Sequence, residues 1–212
     1  MLSEARRKLA EQLFSINAIK FGAFKMKLHE KNPDAPLSPI YIDLRLLRSF
    51  PQAMDSAIEV YLELINGLKF DLLADVPTAA TPIVAILSHL TKVPMVSPRK
   101  GEKGHGIAKK TDGAFETGQT ALLVDDLITQ AESKLEAISS LEANGLIVKD
   151  VVVLVDREQG GAKQLEAAGY KFYCVLKLGE LLQFYLQAGK IDRKDYERTV
   201  AYLGISPEQV KT

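Results

Sequence analysis

The segment that most constrains the fold of this chain is a short apolar run that ends in two adjacent acids. Residues 121–124 are apolar, Asp125 and Asp126 follow them directly, and a polar stretch leads into residues 133–142, whose apolar positions have helical spacing. A short apolar run bounded by polar residues is typical of a strand buried on both faces. We therefore predict a strand over 120–124 that carries both carboxylates at its carboxyl end, where open α/β sheets place ligands.

Two neighbouring carboxylates repel each other, so the pair needs a hydroxyl-rich or cationic partner. Ribose hydroxyls and Mg²⁺ are the obvious candidates. The start of the helix just beyond the acids offers backbone N–H groups to an anion. The alternative, in which both acids are solvated and merely favour the first turn of that helix, stays open at this point.

The composition excludes several classes of protein. The net charge is zero over 212 residues, so no whole-molecule attraction to nucleic acid or to an anionic membrane is expected. No apolar stretch approaches the roughly 20 residues of a membrane span. The single cysteine, Cys174, lies in an apolar run, which favours a buried strand thiol over a nucleophile and fits a reducing compartment. We expect a cytoplasmic protein with no nucleic-acid or membrane partner.

The rest of the chain alternates predicted strands and helices. Strands are predicted over 70–76, 94–97, 148–155 and 171–176 besides 120–124, and helices over 79–90, 134–144 and 161–168. This alternation predicts an α/β fold with a mostly parallel sheet covered by helices on both faces. Outside this core, helices are predicted over 3–16, 51–66, 178–187 and 192–203, and strands over 21–28 and 40–44. We predict a single domain over 1–212, with a core over about 55–180 and closing helices over 178–212.

A basic, glycine-rich segment, residues 97–113, separates two of the core strands. Its cations are Arg99, Lys100, Lys103, Lys109 and Lys110, and it contains four glycines. Because it has few apolar anchors, we expect it to be mobile, and its charge suggests a lid over a polyanion. The alternative is a solvated connecting loop.

Five motifs follow one another along the chain. They are Lys20-Phe-Gly-x-Phe-x-x-Lys27, Ser38-Pro-Ile-Tyr-Ile-Asp-Leu-Arg45, Arg99-Lys100-x-x-Lys103-x-His105-Gly106, Val124-Asp-Asp-Leu-Ile-Thr129 and Leu154-Val-Asp-Arg-Glu-Gln-Gly-Gly161. In this order they resemble the type I phosphoribosyltransferases and, within them, the orotate phosphoribosyltransferases. The resemblance covers residues 12–200 or so. It implies the type I phosphoribosyltransferase fold, with a small N-terminal hood over about residues 1–45.

The resemblance also implies a reaction and roles for particular residues. The reaction joins orotate to the ribosyl phosphate of 5-phosphoribosyl 1-diphosphate (PRPP), giving orotidine 5′-phosphate and pyrophosphate in UMP synthesis. By similarity, Asp125 and Asp126 hold the ribose hydroxyls, while Thr129 and Ser133 supply donors to the 5′-phosphate. Lys27 and Arg157 would orient orotate, whose carboxylate and carbonyl groups require strong donors.

The leaving pyrophosphate has its own implied partners. Lys100, Lys103 and His105, with Arg99 beside them, would close over it, neutralise its charge and exclude water. Mg²⁺ is the implied cofactor, carried by PRPP near Asp125 and Asp126 without direct protein ligands. The resemblance further implies a homodimer in which the basic segment reaches into the partner's site.

The segment after Thr129 departs from the pattern of these enzymes, which present a small, glycine-bearing loop to the 5′-phosphate. Here Gln130, Ala131 and Glu132 follow. If position 131 needs a positive φ, alanine costs roughly 1 kcal/mol. A Glu132 carboxylate about 4 Å from the phosphate would cost ~4 kcal/mol per unit charge at an effective dielectric of about 20, unless it turns to solvent or Lys134 partly neutralises it. These changes motivate a second hypothesis, a non-catalytic homologue that binds a nucleotide or pyrimidine. A third hypothesis is transfer to another base.

Overall fold

The computed structural model describes residues 2–30, 32–99 and 111–205, without the side chains of residues 27 and 28. Its elements are, in chain order, α1 (Glu4–Ser15), β1 (Ile19–Phe24), β2 (Ser38–Ile42), α2 (Pro51–Ile65), β3 (Leu72–Asp75), α3 (Thr81–Thr91), β4 (Met95–Pro98), β5 (Thr111–Asp112), β6 (Thr120–Ile128), α4 (Glu132–Glu142), β7 (Ile147–Asp156), α5 (Gly161–Ala167), β8 (Lys171–Lys177), α6 (Leu178–Gln187) and α7 (Arg193–Leu203). Short 3₁₀ turns cover Lys27–Glu30 and Leu44–Ser49. The chain divides into two compact units, Ala57–Val175 and the remaining residues.

The unit Ala57–Val175 is built on a six-stranded sheet with the order β5-β4-β3-β6-β7-β8. Strand β3 pairs in parallel with β4 and β6, and β6 pairs in parallel with β7, whereas β5 is antiparallel to β4. The prediction of an α/β fold with a mostly parallel sheet flanked by helices is therefore confirmed. The two-residue strand β5 has no counterpart among the predicted elements.

One face of this sheet packs against α4. The apolar side of α4 contributes Ala137, Ile138 and Leu141 to a core that also contains Ala121 and Leu123 of β6. Cys174 lies in β8 as predicted and packs against the same cluster, but it is half-buried and not buried as predicted. Ala121, Leu123 and Asp125 of β6 therefore point towards α4, because side chains two residues apart share a face of a strand and Asp125 pairs with Lys134 of α4.

Strand β6 is longer than predicted, and this difference decides the geometry of the acids. The sequence suggests an end at Val124, but the strand continues through both aspartates to Ile128. Pairing with β3 stops at Val124, opposite Asp75, whereas pairing with β7 continues as far as Ile128 opposite Asp156. The acids therefore lie in a stretch of strand that has lost one neighbour and kept the other.

The described part of the second unit contains the antiparallel strands β1 and β2, the helices α1, α6 and α7, and the first turns of α2. The Ser3 hydroxyl caps α1, as its position before the helix predicts, and the Tyr185 hydroxyl of α6 donates to the Ala10 carbonyl. The prediction of a strand over 21–28 was wrong at its carboxyl end. Residues 27–30 form a turn instead, in which the buried His29 ring bonds to Met26 and Ala35. In the described part of the chain, no helix is both long and apolar enough to cross a membrane.

Candidate functional site

The two adjacent acids have different environments because they lie in a strand. Asp125 follows Ala121 and Leu123 on the face of β6 that packs against α4, and its side chain is about 5% exposed. Asp126 points to the opposite face and is half-buried. The acids therefore cannot be treated as one equivalent pair.

The Asp125 carboxylate is held within the protein by contacts to both of its oxygens. Its Oδ2 lies 2.6 Å from Lys134 Nζ in an ion pair whose two side chains are each 5% exposed. Its Oδ1 accepts a hydrogen bond of 2.9 Å from the Asp126 backbone N–H. Lys134 Nζ also donates to the Leu127 carbonyl, and the Tyr61 hydroxyl donates to the Asp125 carbonyl at 2.6 Å. The contacts clamp this part of β6 to α4 and α2.

Lys134 is a site residue whose partner sequence reasoning missed. The sequence suggests Glu132 as a partner of Lys134, but the Lys134 side chain turns inward to Asp125. A signal was present, because Lys134 stands at i, with Ala137, Ile138 and Leu141 at i+3, i+4 and i+7 on the buried side of α4. A lysine within an apolar stripe is expected to be paired, since a charge buried alone is very costly.

The Asp126 carboxyl has a strongly raised pKa. Burial and, after it, the negative charge of the neighbouring Asp125 carboxylate raise the pKa of Asp126 to about 7, although Lys134 opposes the rise. The buried Tyr61 hydroxyl faces the same acids, and burial with their negative charge raises its pKa as well. Near neutral pH, Asp126 is thus poised between a hydrogen-bond acceptor and a neutral acid.

The loop between β6 and α4, residues 129–131, does not have the strain that its sequence suggested. Ala131 has a φ of −90°, in the ordinary right-handed region, so alanine in place of glycine costs nothing there. The Glu132 side chain is exposed in the first turn of α4, where a negative charge is favourable. Thr129, the first residue of this loop, is half-buried, and Ser133, in the first turn of α4, is exposed.

Arg157 lies directly after β7, next to the end of β6. Its backbone N–H donates to the Ile128 carbonyl at 3.0 Å, and the residue is only 5% exposed. The preceding Asp156 accepts a hydrogen bond from the Glu158 N–H and shapes the turn that follows. The carboxyl ends of β6 and β7 therefore bring Asp126, Thr129 and Arg157 to one edge of the sheet.

The carboxyl ends of β3 and β4 border a cleft of about 390 Å³. Pro77 and Arg99 line it from one side, and Ser133 and Glu136 of α4 line it from the other. The exposed Arg99 guanidinium pairs with Asp112 at 2.9 Å. At the end of β3, the fully buried Asp75 carboxylate accepts a hydrogen bond from the Thr81 hydroxyl, which gives Thr81 a structural role.

The remaining predicted site residues cannot be placed. Lys100, Lys103 and His105 lie outside the described residues, as does the Lys27 side chain. Among the residues that the structure does describe, no group of three or more His, Cys, Asp or Glu side chains could hold a metal ion.

Comparison with known proteins identifies relatives over most of the chain. An orotate phosphoribosyltransferase from Pyrobaculum aerophilum is 37% identical over 82% of this chain and 88% of its own length. A bifunctional enzyme PyrF/PyrE from Nostoc sp. is 35% identical over 87% of this chain. The solved structure of Leishmania donovani UMP synthase superimposes with a TM-score of 0.83 at 34% identity over 94% of this chain. The chain spans only 38% of the Nostoc protein and 42% of the Leishmania one. No protein-family profile matches the chain.

Proposed function

This chain belongs to the orotate phosphoribosyltransferase family, and we propose that it transfers the ribosyl phosphate of PRPP to orotate, giving orotidine 5′-phosphate and pyrophosphate. The observation that carries this proposal is the 37% identity to an enzyme of that name across 88% of its length. The relatives named UMP synthase support a place for the reaction in UMP synthesis.

Asp126 is the proposed acceptor for the ribose hydroxyls. Its carboxylate is the less buried of the two, whereas each oxygen of Asp125 already has a protein contact. When pyrophosphate leaves C1′, the ribose ring gains positive charge, and a fixed negative group beside it lowers the barrier. Asp125 would contribute by holding β6 in place through Lys134. No covalent nucleophile is required for this substitution.

The 5′-phosphate is proposed to bind where β6 gives way to α4. Thr129 and Ser133 supply hydroxyl donors there, and the backbone N–H groups of the first turn of α4 favour an anion. Ala131 has an unstrained φ and Glu132 is exposed. The backbone strain and charge repulsion that motivated the hypothesis of a non-catalytic homologue are therefore not expected. We therefore do not favour that alternative.

The pyrophosphate and orotate groups are assigned to cations. Arg99, at the cleft after β4, with Lys100, Lys103 and His105, is proposed to neutralise the leaving pyrophosphate. Mg²⁺ would supply further positive charge to that group. We propose that this ion is carried by the diphosphate and by water, since Mg²⁺ is commonly bound through substrate phosphates with few protein ligands.

Orotate has a carboxylate and two ring carbonyls, so it calls for charged donors. We assign Arg157 to this group because a guanidinium can bind a carboxylate through two hydrogen bonds, and its backbone is fixed to the end of β6. Lys27 keeps the orotate role predicted from its motif.

The activity is tested by the loss of orotate absorbance on adding PRPP and Mg²⁺ to the purified protein. We expect turnover that needs both additions and that falls by at least about 100-fold in Asp126→Asn, the range seen when one transition-state contact is lost. Asp55→Asn, an exposed acid on α2, is the matched control and should keep wild-type activity. A folded protein without turnover at millimolar PRPP would reject the proposal.

A homodimer with the basic segment acting in the partner's site is also proposed. Two inactive variants, Lys103→Ala and Asp126→Asn, should restore activity when they are mixed and allowed to exchange subunits. Random pairing gives half mixed dimers with one intact site each, so about a quarter of wild-type activity is expected. Failure to complement, with mixed dimers demonstrated by mass, would place the segment in its own subunit's site.

A further inference from the structure

Each residue of the 129–131 loop is hydrogen-bonded to the segment 159–164, which leads into and begins α5. The Thr129 carbonyl accepts from the Gly161 N–H at 3.1 Å. The Gln130 side chain donates to the Gln159 carbonyl at 2.7 Å and accepts from Gln164 Nε2 at 2.6 Å. The Ala131 N–H donates to Gln164 Oε1 at 2.8 Å. The amide of Gln164 thus bridges two consecutive loop residues.

The backbone where α5 begins is closely packed against the end of β6. This packing fixes the position from which Gln164 reaches the loop. A Cβ atom on Gly161 would lie 2.5 Å from Ile128 Cγ1 and 3.1 Å from the Thr129 carbonyl oxygen. Only glycine lets the first turn of α5 approach the end of β6 so closely. Gln164, one turn further along α5, is therefore held at a fixed distance from the loop.

We propose that Gln164 is a positioning residue for the donor's 5′-phosphate, acting through Gln130 and Ala131. The proposal rests on the proposed function, because it assumes that this loop and the start of α4 receive that phosphate. Gln130 lies in the segment that departs from the family pattern, and its hydrogen bonds to Gln159 and Gln164 give this residue a structural role. A loop already held in one conformation loses less entropy when the phosphate binds. The side-chain bridge would thus replace the close backbone fit that a glycine-bearing loop provides.

The test compares Gln164→Ala, Gln130→Ala and the double variant with wild type. Lys163→Ala is the matched control, since Lys163 is an exposed neighbour on α5. Titration calorimetry gives the Kd for PRPP with Mg²⁺, and steady-state kinetics gives the KM for orotate. Hydrogen exchange of the Ala131 amide, measured without ligand, reports the bridge itself.

We expect a Kd for PRPP about three- to tenfold weaker in either single variant, the range that follows from losing one modest hydrogen-bonded contact. The double variant should bind PRPP only slightly more weakly than either single variant, because the Gln130 and Gln164 amides act as one unit. The KM for orotate should stay within about twofold, and Ala131 should exchange faster in Gln164→Ala but not in Lys163→Ala. A merely structural role would move both substrates together.

Several results would overturn the proposal. They are an unchanged or tighter Kd for PRPP in Gln164→Ala, an equal rise in the KM for orotate, and an unchanged exchange rate at Ala131. A wild-type protein that binds PRPP without turnover would overturn the proposed function alone, since the Kd comparison still applies. A wild-type protein that binds no PRPP would overturn both.

Discussion

Replacing Lys134 by methionine should destabilise the protein strongly, because it leaves the Asp125 carboxylate buried without its cation. Both side chains are 5% exposed and their charged atoms are 2.6 Å apart. At an effective dielectric of about 20, that separation corresponds to an attraction of about 6 kcal/mol, part of which only offsets the desolvation of the two charges. Removing one partner of a buried pair typically costs about 3–5 kcal/mol of unfolding free energy, which is the change we expect.

The measurement is urea-induced unfolding at pH 7 for Lys134→Met, Asp125→Asn and the double variant. The double variant should recover about 2 kcal/mol relative to Lys134→Met, since no charge is then left buried alone. Lys149→Met removes an exposed lysine from β7 and should change the unfolding free energy by less than about 0.5 kcal/mol. A loss below about 1 kcal/mol in Lys134→Met, or strictly additive single effects, would refute the reasoning.

Three further outcomes are expected. Because burial and the Asp125 carboxylate raise the pKa of Asp126 to about 7, protonation of Asp126 should lower kcat/KM for PRPP as the pH falls below 7. A flat profile from pH 6 to 8 would contradict this. Gly161→Ala should lower the free energy of unfolding by about 1–3 kcal/mol, because the added Cβ would contact Ile128. Ile128→Ala should lower it less in the Gly161→Ala protein than in wild type, which thermal unfolding can measure. Tyr61→Phe should lower the free energy of unfolding by about 1–2 kcal/mol, because the buried Tyr61 hydroxyl donates to the Asp125 carbonyl at 2.6 Å. An unchanged Tm would contradict this prediction.

Most elements could be predicted from the sequence because their signals are local. Alternating apolar runs and helical spacing placed β3, β4, β7 and β8 and all seven described α-helices within a few residues. The errors lie where another segment decides the outcome. Strand β6 continues beyond Val124 because β7 extends alongside it, and residues 27–30 turn around the buried His29 ring.

The site shows the same division. The sequence by itself determined that two acids stand near a helix start, because the order of residues sets what is adjacent along the chain. Tertiary structure alone decided that Asp125 pairs with Lys134 while Asp126 stays half-buried on the other face. It also decided that Gln164, which is 34 residues from Gln130 along the chain, is hydrogen-bonded to the loop 129–131. The physical reason is that a buried charge or amide takes its partner from whatever folding brings within hydrogen-bond distance, and that partner is not encoded by local spacing.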